Sequence, residues 1–310
     1  MEFNHAAVST REWTTEPADR IAALLDAERD WWRRHLYWDL DTAWASIEPA
    51  RAAGRLPGVI ATATGEAADG WAFYLRHHQT LQLGAIVACH EAVTTALVDH
   101  MLRSPAAQGV PLAVSFTRDQ APGLAAVFEA RDFQLEHYTY LELALGSGHE
   151  LSMPCRMWAP ADLAPTVDLV ARAYRNSAEL RPFAPDNRQE DWIEYVTQLV
   201  ASPACGRFLP WASIVCDATR GTGLHGAAIV TTISERTAHL AQIVVDPRAR
   251  GRGLGRALVE SAIGAVAARG FERMTLLVAA SNTRASSLYD RLGFRQTATF
   301  LAAVKRQDAG

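Results

Sequence analysis

The stretch Ile243–Arg256, IVVDPRARGRGLGR, constrains this chain more than any other. Ile243, Val244 and Val245 are β-branched and apolar, which suits a buried strand. Asp246 and Pro247 end it, because proline has no N–H to give to a sheet ladder. Gly251, Gly253 and Gly255 follow, set among Arg248, Arg250, Arg252 and Arg256. Beyond the first glycines, Leu254, Ala257, Leu258, Ser261, Ala262 and Ala265 recur at helical spacing. A glycine-rich turn that opens a helix is an anion site. Glycines let the backbone approach closely, the first N–H groups have no helical partner, and the helix dipole favours negative charge. The arginines add positive potential. The expected ligand is a phosphate or pyrophosphate.

Spacing narrows the ligand. A dinucleotide fingerprint needs a glycine where Arg256 stands, and a nucleoside-triphosphate loop needs Gly-Lys-Ser/Thr, which is not present here. What fits is Arg-x-x-Gly-x-Gly, from Arg250, Gly253 and Gly255. Strand, Val-Asp-Pro, Arg-x-x-Gly-x-Gly and helix together resemble the acyl-CoA loop of the GNAT superfamily of N-acyltransferases. Downstream, LLVAASNTRASSLYDRLGF (Leu276–Phe294) resembles that family's next strand, its Asn, and the helix ending Leu-Tyr-x-x-x-Gly-Phe. Two motifs in the right order are far more specific than a glycine loop alone. The resemblance covers Ala238–Ala302.

The resemblance implies an acetyl-CoA-dependent N-acetyltransferase. An acetyl group would pass from acetyl-CoA to a primary amine of a small molecule by direct attack in a ternary complex. Ile243, Val244 and Val245 would pair with the pantetheine arm and offer an N–H to the thioester oxygen. The turn of Arg250, Gly251, Arg252, Gly253, Leu254, Gly255, Arg256 and Ala257 would hold the pyrophosphate with backbone N–H groups. Asn282 and the helix after it, with Ser286, would contact the far side of the cofactor. Tyr289 stands where the family has its proton donor to the CoA sulfur. Each residue has a plain structural reading beside this one. Tyr289 could be core packing, Asn282 an N-cap, and the arginines a solvated basic face. The general base is open. His239 stands six residues before Val245, where some members of the family place a glutamate, and a histidine there can accept a proton near neutral pH. Strand alternation puts 239, 241, 243 and 245 on one face if no bulge intervenes. Glu235, Glu179 and Asp186 are the alternatives, acting through water. A protein or peptide amine, or a longer acyl-CoA, is the alternative substrate. A non-catalytic acyl-CoA sensor or scaffold is the alternative of another class, and Tyr289 argues against it, because a sensor needs no proton donor.

The chain of 310 residues suggests two domains. The two halves repeat one order of elements: strand, two helices, three strands, helix, strand, helix, strand. Gly146-Ser147-Gly148 is the best linker. The expected class is α+β (mixed α/β), as two tandem GNAT-like domains, each a mostly antiparallel twisted sheet flanked by helices. Residues 1–148 form the first and 149–310 the catalytic, acyl-CoA-binding second. Aligning Phe133 with Phe294 puts Phe128 on Tyr289 and Ala121 on Asn282. The stretch matching the glycine turn reads HEAVTTAL, with no glycine. The first half is therefore expected to keep the fold without the cofactor motif.

A net charge of −4 gives no general pull toward nucleic acid or an anionic membrane. The WWRRHLYW run (31–38) interleaves aromatics with arginines, but its helical spacing fits burial against a sheet better than base stacking. No apolar run is long enough to span a bilayer, and MEFNHAAVST lacks the regions of a signal peptide. Cys89, Cys155, Cys205 and Cys216 are scattered and read as reduced thiols. A cytoplasmic protein without a metal is expected, as monomer or homodimer. Trp192, Phe183 and Trp211 wall a pocket or sit in the core. The resemblance also implies that the helix-loop-helix from Arg175 to Glu194 lines the acceptor side; its slight acidic excess is compatible with a cationic amine or is a solvated face.

Overall fold

A computed structural model describes residues 8–63, 67–77, 80–118, 121–146, 155–175, 177, 180, 183–184, 187–218 and 223–305, without the side chains of 77 and 115–118. In chain order the elements are β1 (Ser9–Glu12), α1 (Ala18–Leu36), α2 (Asp41–Trp44), α3 (Ile47–Ala52), β2 (Gly58–Thr62), β3 (Gly70–His77) and β4 (Thr80–Ala88). Next come α4 (Glu91–Arg103), β5 (Leu112–Arg118), α5 (Leu124–Glu129) and β6 (Gln134–Ala144). Then follow β7 (Arg156–Met157), α6 (Leu163–Tyr174), α7 (Gln189–Ala201), β8 (Arg207–Phe208) and β9 (Ile214–Asp217). The last are β10 (Leu224–Ser234), β11 (Thr237–Val245), α8 (Leu254–Ala267), β12 (Arg273–Ala279), α9 (Thr283–Arg291) and β13 (Arg295–Lys305).

The chain divides into two compact units, but not at residue 148. The first comprises Met1–Glu28, Trp44–Tyr138 and Thr299–Gly310, and the second comprises Arg29–Ala43 and Thr139–Ala298. In the first unit β1 to β4 pair antiparallel in sequence order and β4 pairs parallel with β5. The segment Phe300–Lys305 of β13 then runs antiparallel to β5. One face buries Leu81, Leu97, Val114, Phe128 and Leu301. On the other, Trp13 stacks on Trp71 and Phe73, with Ile21 and Leu25 beside them.

In the second unit β12, β11, β10, β9 and β7 follow one another across the sheet, with β8 also on β10. Only β11 and β12 are parallel among these. The Glu142 and Arg273 side chains pair at 3.0 Å, tying β6 to β12. Strand alternation separates two cores. Ala228, Val230 and Leu240 face α8 through Leu258, Ala262 and Val266. Ala227, Ile229 and Val244 face α6 and α7 through Leu169, Val170, Trp192 and Val196. The WWRRHLYW run supplies the end of α1 and the turn after it. Its Trp38 is buried in this unit. Of the pocket candidates, Trp192 is core, and Arg269 lies over the Trp211 ring at 3.7 Å.

One further expectation changes. Cys155 and Cys216 form a disulfide, with Cα atoms 4.4 Å apart, that fastens the residue before β7 to β9. They are 61 residues apart, so no local motif marks them. Cys89 and Cys205 stay free thiols. The strand β8 has no clear signal in the sequence, being two residues long. Among the described residues no helix is long and apolar enough to cross a membrane, and no group of three or more His, Cys, Asp or Glu could hold a metal ion.

Candidate active site

The glycine turn and α9 open on one cavity of about 730 Å³, entirely within the second unit. Strand β11 forms its floor. The parallel pairing of β11 with β12 runs from Thr237↔Arg273 to Leu240↔Leu276 and stops there among the described residues. Past that point the two strands part. The cause is a bulge: Val230 faces Leu240 while Ile229 faces Gln242, so Ala241 is the extra residue. Ile243, Val244 and Val245 still pair on one side with Ala228, Ala227 and Gly226 of β10. On the other side the Ile243 carbonyl accepts from the Tyr174 hydroxyl at 3.1 Å and the Gln242 amide at 2.9 Å. Its partners are side chains, as at the open edge of a sheet.

The turn is built as its composition requires. Asp246 accepts from the Arg248 N–H at 2.9 Å and pairs with Arg172 at 3.3 Å. Burial works against its charge, but these donors outweigh it and hold the carboxyl below its usual range. Gly251 and Gly253 have φ of +83° and +80°, a left-handed conformation that side chains rarely adopt. Gly253 is the N-cap of α8 and supplies no side-chain cap to its first N–H groups. Ala257 N–H makes the first bond of the helix, to the Gly253 carbonyl at 3.0 Å. The N–H groups before it point out of the helix at the cavity wall.

At the opposite wall Asn282 caps α9, accepting from Ala285 N–H at 3.1 Å. Tyr289, two turns on, is 3% exposed, packs edge-on to Phe294 at 5.6 Å, and lines the cavity. Six arginines also line it: Arg172, Arg175, Arg250, Arg256, Arg284 and Arg291. No Asp or Glu does so among the described residues. An excess of this kind suits a ligand carrying several negative charges.

The acetyltransferase (GNAT) family model matches residues 171–294. The chain is 29% identical over 217 residues to the mycothiol acetyltransferase of Clavibacter michiganensis subsp. michiganensis, covering 66% of this chain and 65% of that one. It is 40% identical over 74 residues to the [ribosomal protein bS18]-alanine N-acetyltransferase of Escherichia coli, covering 24% of this chain and 50% of the relative. Its matches thus span between half and two thirds of the length of these relatives. Among solved structures, a GCN5-related N-acetyltransferase from Sphaerobacter thermophilus has a TM-score of 0.62 at 20% identity, covering 96% of this chain and 95% of that one. A tandem GNAT protein from the clavulanic acid biosynthesis pathway has a TM-score of 0.54 at 17% identity, covering 82% of this chain and 84% of that one. Residues 171–294 of the chain thus resemble the acetyltransferase (GNAT) family.

The GNAT match begins within α6 and ends at Phe294, so it spans every residue that lines the cavity. The structural likenesses cover 96% and 82% of the chain, so the similarity of fold reaches the first unit as well. Of the residues singled out in the sequence, the cavity gathers Ile243, Val244 and Val245 from β11. From the turn it takes Arg250, Gly251, Gly253, Leu254, Gly255 and Arg256, and from the downstream motif Asn282 and Tyr289. Arg252, Ala257 and Ser286 do not line it. Ser286 instead donates its hydroxyl to the Asn282 carbonyl at 3.1 Å.

His239 does not reach the cavity either. The bulge at Ala241 shifts the alternation, so Ile243 and Val245 fall on the face of Ala238 and Leu240, and His239 falls on the other. There it is buried between the Trp38 and Tyr140 rings, with centroids at 4.8 and 6.2 Å, and Nδ1 lies 2.9 Å from the Thr275 hydroxyl. Burial pushes its pKa down to about 3, so it stays neutral at physiological pH. Neither Glu235 nor any other described carboxylate lines the cavity, and Glu179 and Asp186 lie outside the described residues. Several lining residues went unmarked in the sequence. Tyr174 and Arg172 come from the end of α6, where no motif points to them, whereas Arg175, the first residue of the helix-loop-helix expected at the acceptor side, also lines the cavity. Arg284, Leu288 and Arg291 carried a signal in their i, i+4, i+7 spacing on α9.

Proposed function

We propose that this protein is an acetyl-CoA-dependent N-acetyltransferase that acylates a primary amine of a small molecule by direct attack in a ternary complex. One observation carries the reading. A parted strand, a glycine turn with uncapped helix N–H groups, and a buried tyrosine converge on a single arginine-rich cavity. These are the parts that acyl transfer from an anionic thioester donor requires. The turn from Arg250 to Arg256 holds the diphosphate with its N–H groups. The open edge of β11 at Ile243–Val245 pairs with the amide-bearing arm and offers an N–H to the thioester oxygen as it gains charge. The neutral amine attacks the carbonyl carbon, the C–N bond forms, and the C–S bond breaks. Tyr289 gives its phenolic proton to the departing thiolate. The proton lost by the amine passes to solvent through the acceptor side, where Tyr174 lines the cavity and its hydroxyl accepts from the Gln242 amide behind it.

The first unit serves as a fold without a donor site. Its α4 begins at Glu91 after His90, with no glycine turn. The protein is read as cytoplasmic, as monomer or homodimer. A peptide amine is the second reading, favoured by the Escherichia coli relative named for a ribosomal-protein alanine. Titration of the purified protein with acetyl-CoA tests the donor, followed by an amine screen for CoA release. One site per chain with turnover on a small amine is expected. Turnover only on peptide N-termini would favour the second reading. Binding without turnover on either class would leave an acyl-CoA sensor, and no binding would remove the reading.

A further inference from the structure

The six cavity arginines fall into two groups. Three are engaged by the protein itself: Arg172 with Asp246, Arg256 with Glu260, and Arg250 with the carbonyls of Val245 and Ala173. The other three are Arg175, Arg284 and Arg291. Two of these stand on one helix. Arg284, Leu288 and Arg291 occupy one stripe of α9, and all three line the cavity. Neither arginine has an acidic partner among the described residues, although Asp290 is the neighbour of Arg291 in sequence and instead pairs with Arg295. Seven residues of helix separate Arg284 from Arg291 by about 10 Å of rise, a gap that two arginine side chains can close from either end.

The proposed donor gives this pair a ligand. Resting on the acetyl-CoA reading above, we propose that Arg284 and Arg291 form a phosphomonoester subsite that reads the 3′-phosphate on the ribose of CoA. The diphosphate is a separate group, and the N–H groups of the glycine turn, on another wall of the cavity, suit it. A phosphomonoester carries close to two charges at neutral pH and three strong acceptor oxygens, which match two guanidinium forks. Exposure runs in the same direction. Tyr289 is buried, where the reacting sulfur belongs, whereas Arg284 and Arg291 are exposed, at the rim where the charged nucleotide end would meet solvent. The subsite would make the protein select CoA thioesters over dephospho-CoA thioesters, which share every reacting atom.

Isothermal titration with CoA and with 3′-dephospho-CoA tests this, on the wild type, on Arg284→Gln/Arg291→Gln, and on Arg236→Gln as an equal-type control outside the cavity and the glycine turn. The wild type is expected to bind CoA about 10- to 100-fold more tightly than dephospho-CoA, the range for one or two charge-assisted contacts. The double variant is expected to bind CoA no better than dephospho-CoA, with dephospho-CoA affinity close to wild type, and Arg236→Gln to keep the preference. Equal affinity of the wild type for both ligands would overturn the subsite while leaving the acetyl-CoA reading intact. Parallel loss of both ligands in the double variant would also overturn it, as a general charge or folding effect. Failure of the wild type to bind either ligand would overturn the subsite together with the acetyl-CoA reading on which it rests.

Discussion

Tyr289 and His239 were both legible as candidate catalytic groups, and the structure separates them. Tyr289 sits at the cavity wall on a helix whose motif spacing fixes its face. Tyr289→Phe keeps the ring and its packing on Phe294 while removing the proton. Turnover is expected to fall by about 100-fold or more, with acetyl-CoA affinity unchanged by titration; full activity would remove the assignment. His239 shows why alternation alone misleads. One extra residue at Ala241 moves every side chain before it to the opposite face, and no property of Ala241 in the sequence announces the bulge. The structure gives His239 a different consequence, in stability. It is held neutral down to about pH 3 in the fold, whereas an exposed histidine titrates near 6.5. Between those values the unfolded chain binds a proton that the folded chain refuses, so stability rises with pH there. The expected slope is about 1.4 kcal/mol per pH unit for one such group. The clean window is pH 6.5 to about 5.5, above the range where Glu16, Glu48, Asp162 and Asp246, whose carboxyls are held low, begin to lose their contributions. Urea unfolding across that window is expected to flatten in His239→Gln, while turnover persists. An unchanged slope would place the titration elsewhere.

Most elements announced themselves through period and punctuation. The long strands β10 and β11, the helix α8, and the Asn-capped α9 fall where alternation, glycine and the 3.6 spacing put them. The glycine turn shows the physics most directly. A Cβ on Gly253 would meet nothing within 4 Å, so its φ of +80° is the sole obstacle to a side chain. Gly253→Ala is therefore expected to cost about 1–2 kcal/mol through backbone strain, read by thermal unfolding, and to weaken acetyl-CoA as the turn relaxes. A variant with wild-type stability and affinity would show that the turn tolerates a side chain. Elements defined by distant partners were not legible. β8 is too short to carry a pattern, and β7 is fastened from outside by Cys155–Cys216. Closing a loop of this length stabilises a fold by about 2–4 kcal/mol. Cys155→Ser/Cys216→Ser is expected to lower unfolding stability by that order, and reductant should reproduce the loss in the wild type and leave the variant unmoved. If reductant changes nothing in the wild type, the bond contributes no stability.

The division of the molecule is where sequence order was the weakest guide. The repeat placed one complete set of elements on each side of residue 148, because strands were counted in the order in which they occur. Contacts follow a different rule. The first unit takes its last strand from the chain's end, where Ala303 and Val304 pair with Val114 and Ala113 of β5, and Leu301 and Ala303 are fully buried in its core. The second unit takes Tyr140, Leu141 and Glu142 from a segment that sequence order gives to the first half. Local pattern cannot reveal this, since a strand of the same composition satisfies either sheet edge. A direct expectation follows for fragments. Residues 1–148 alone leave one edge of β5 unpaired and the buried places of Leu301 and Ala303 empty, a combination that favours aggregation. Residues 1–138 joined through a flexible linker to 295–310 restore both. The first fragment is expected to be insoluble or to melt without a cooperative transition by circular dichroism. The second is expected to be monomeric by size exclusion and to melt cooperatively. Cooperative folding of 1–148 by itself would show that the C-terminal strand is dispensable to the first unit, and that the simple tandem division at residue 148 describes how this chain folds.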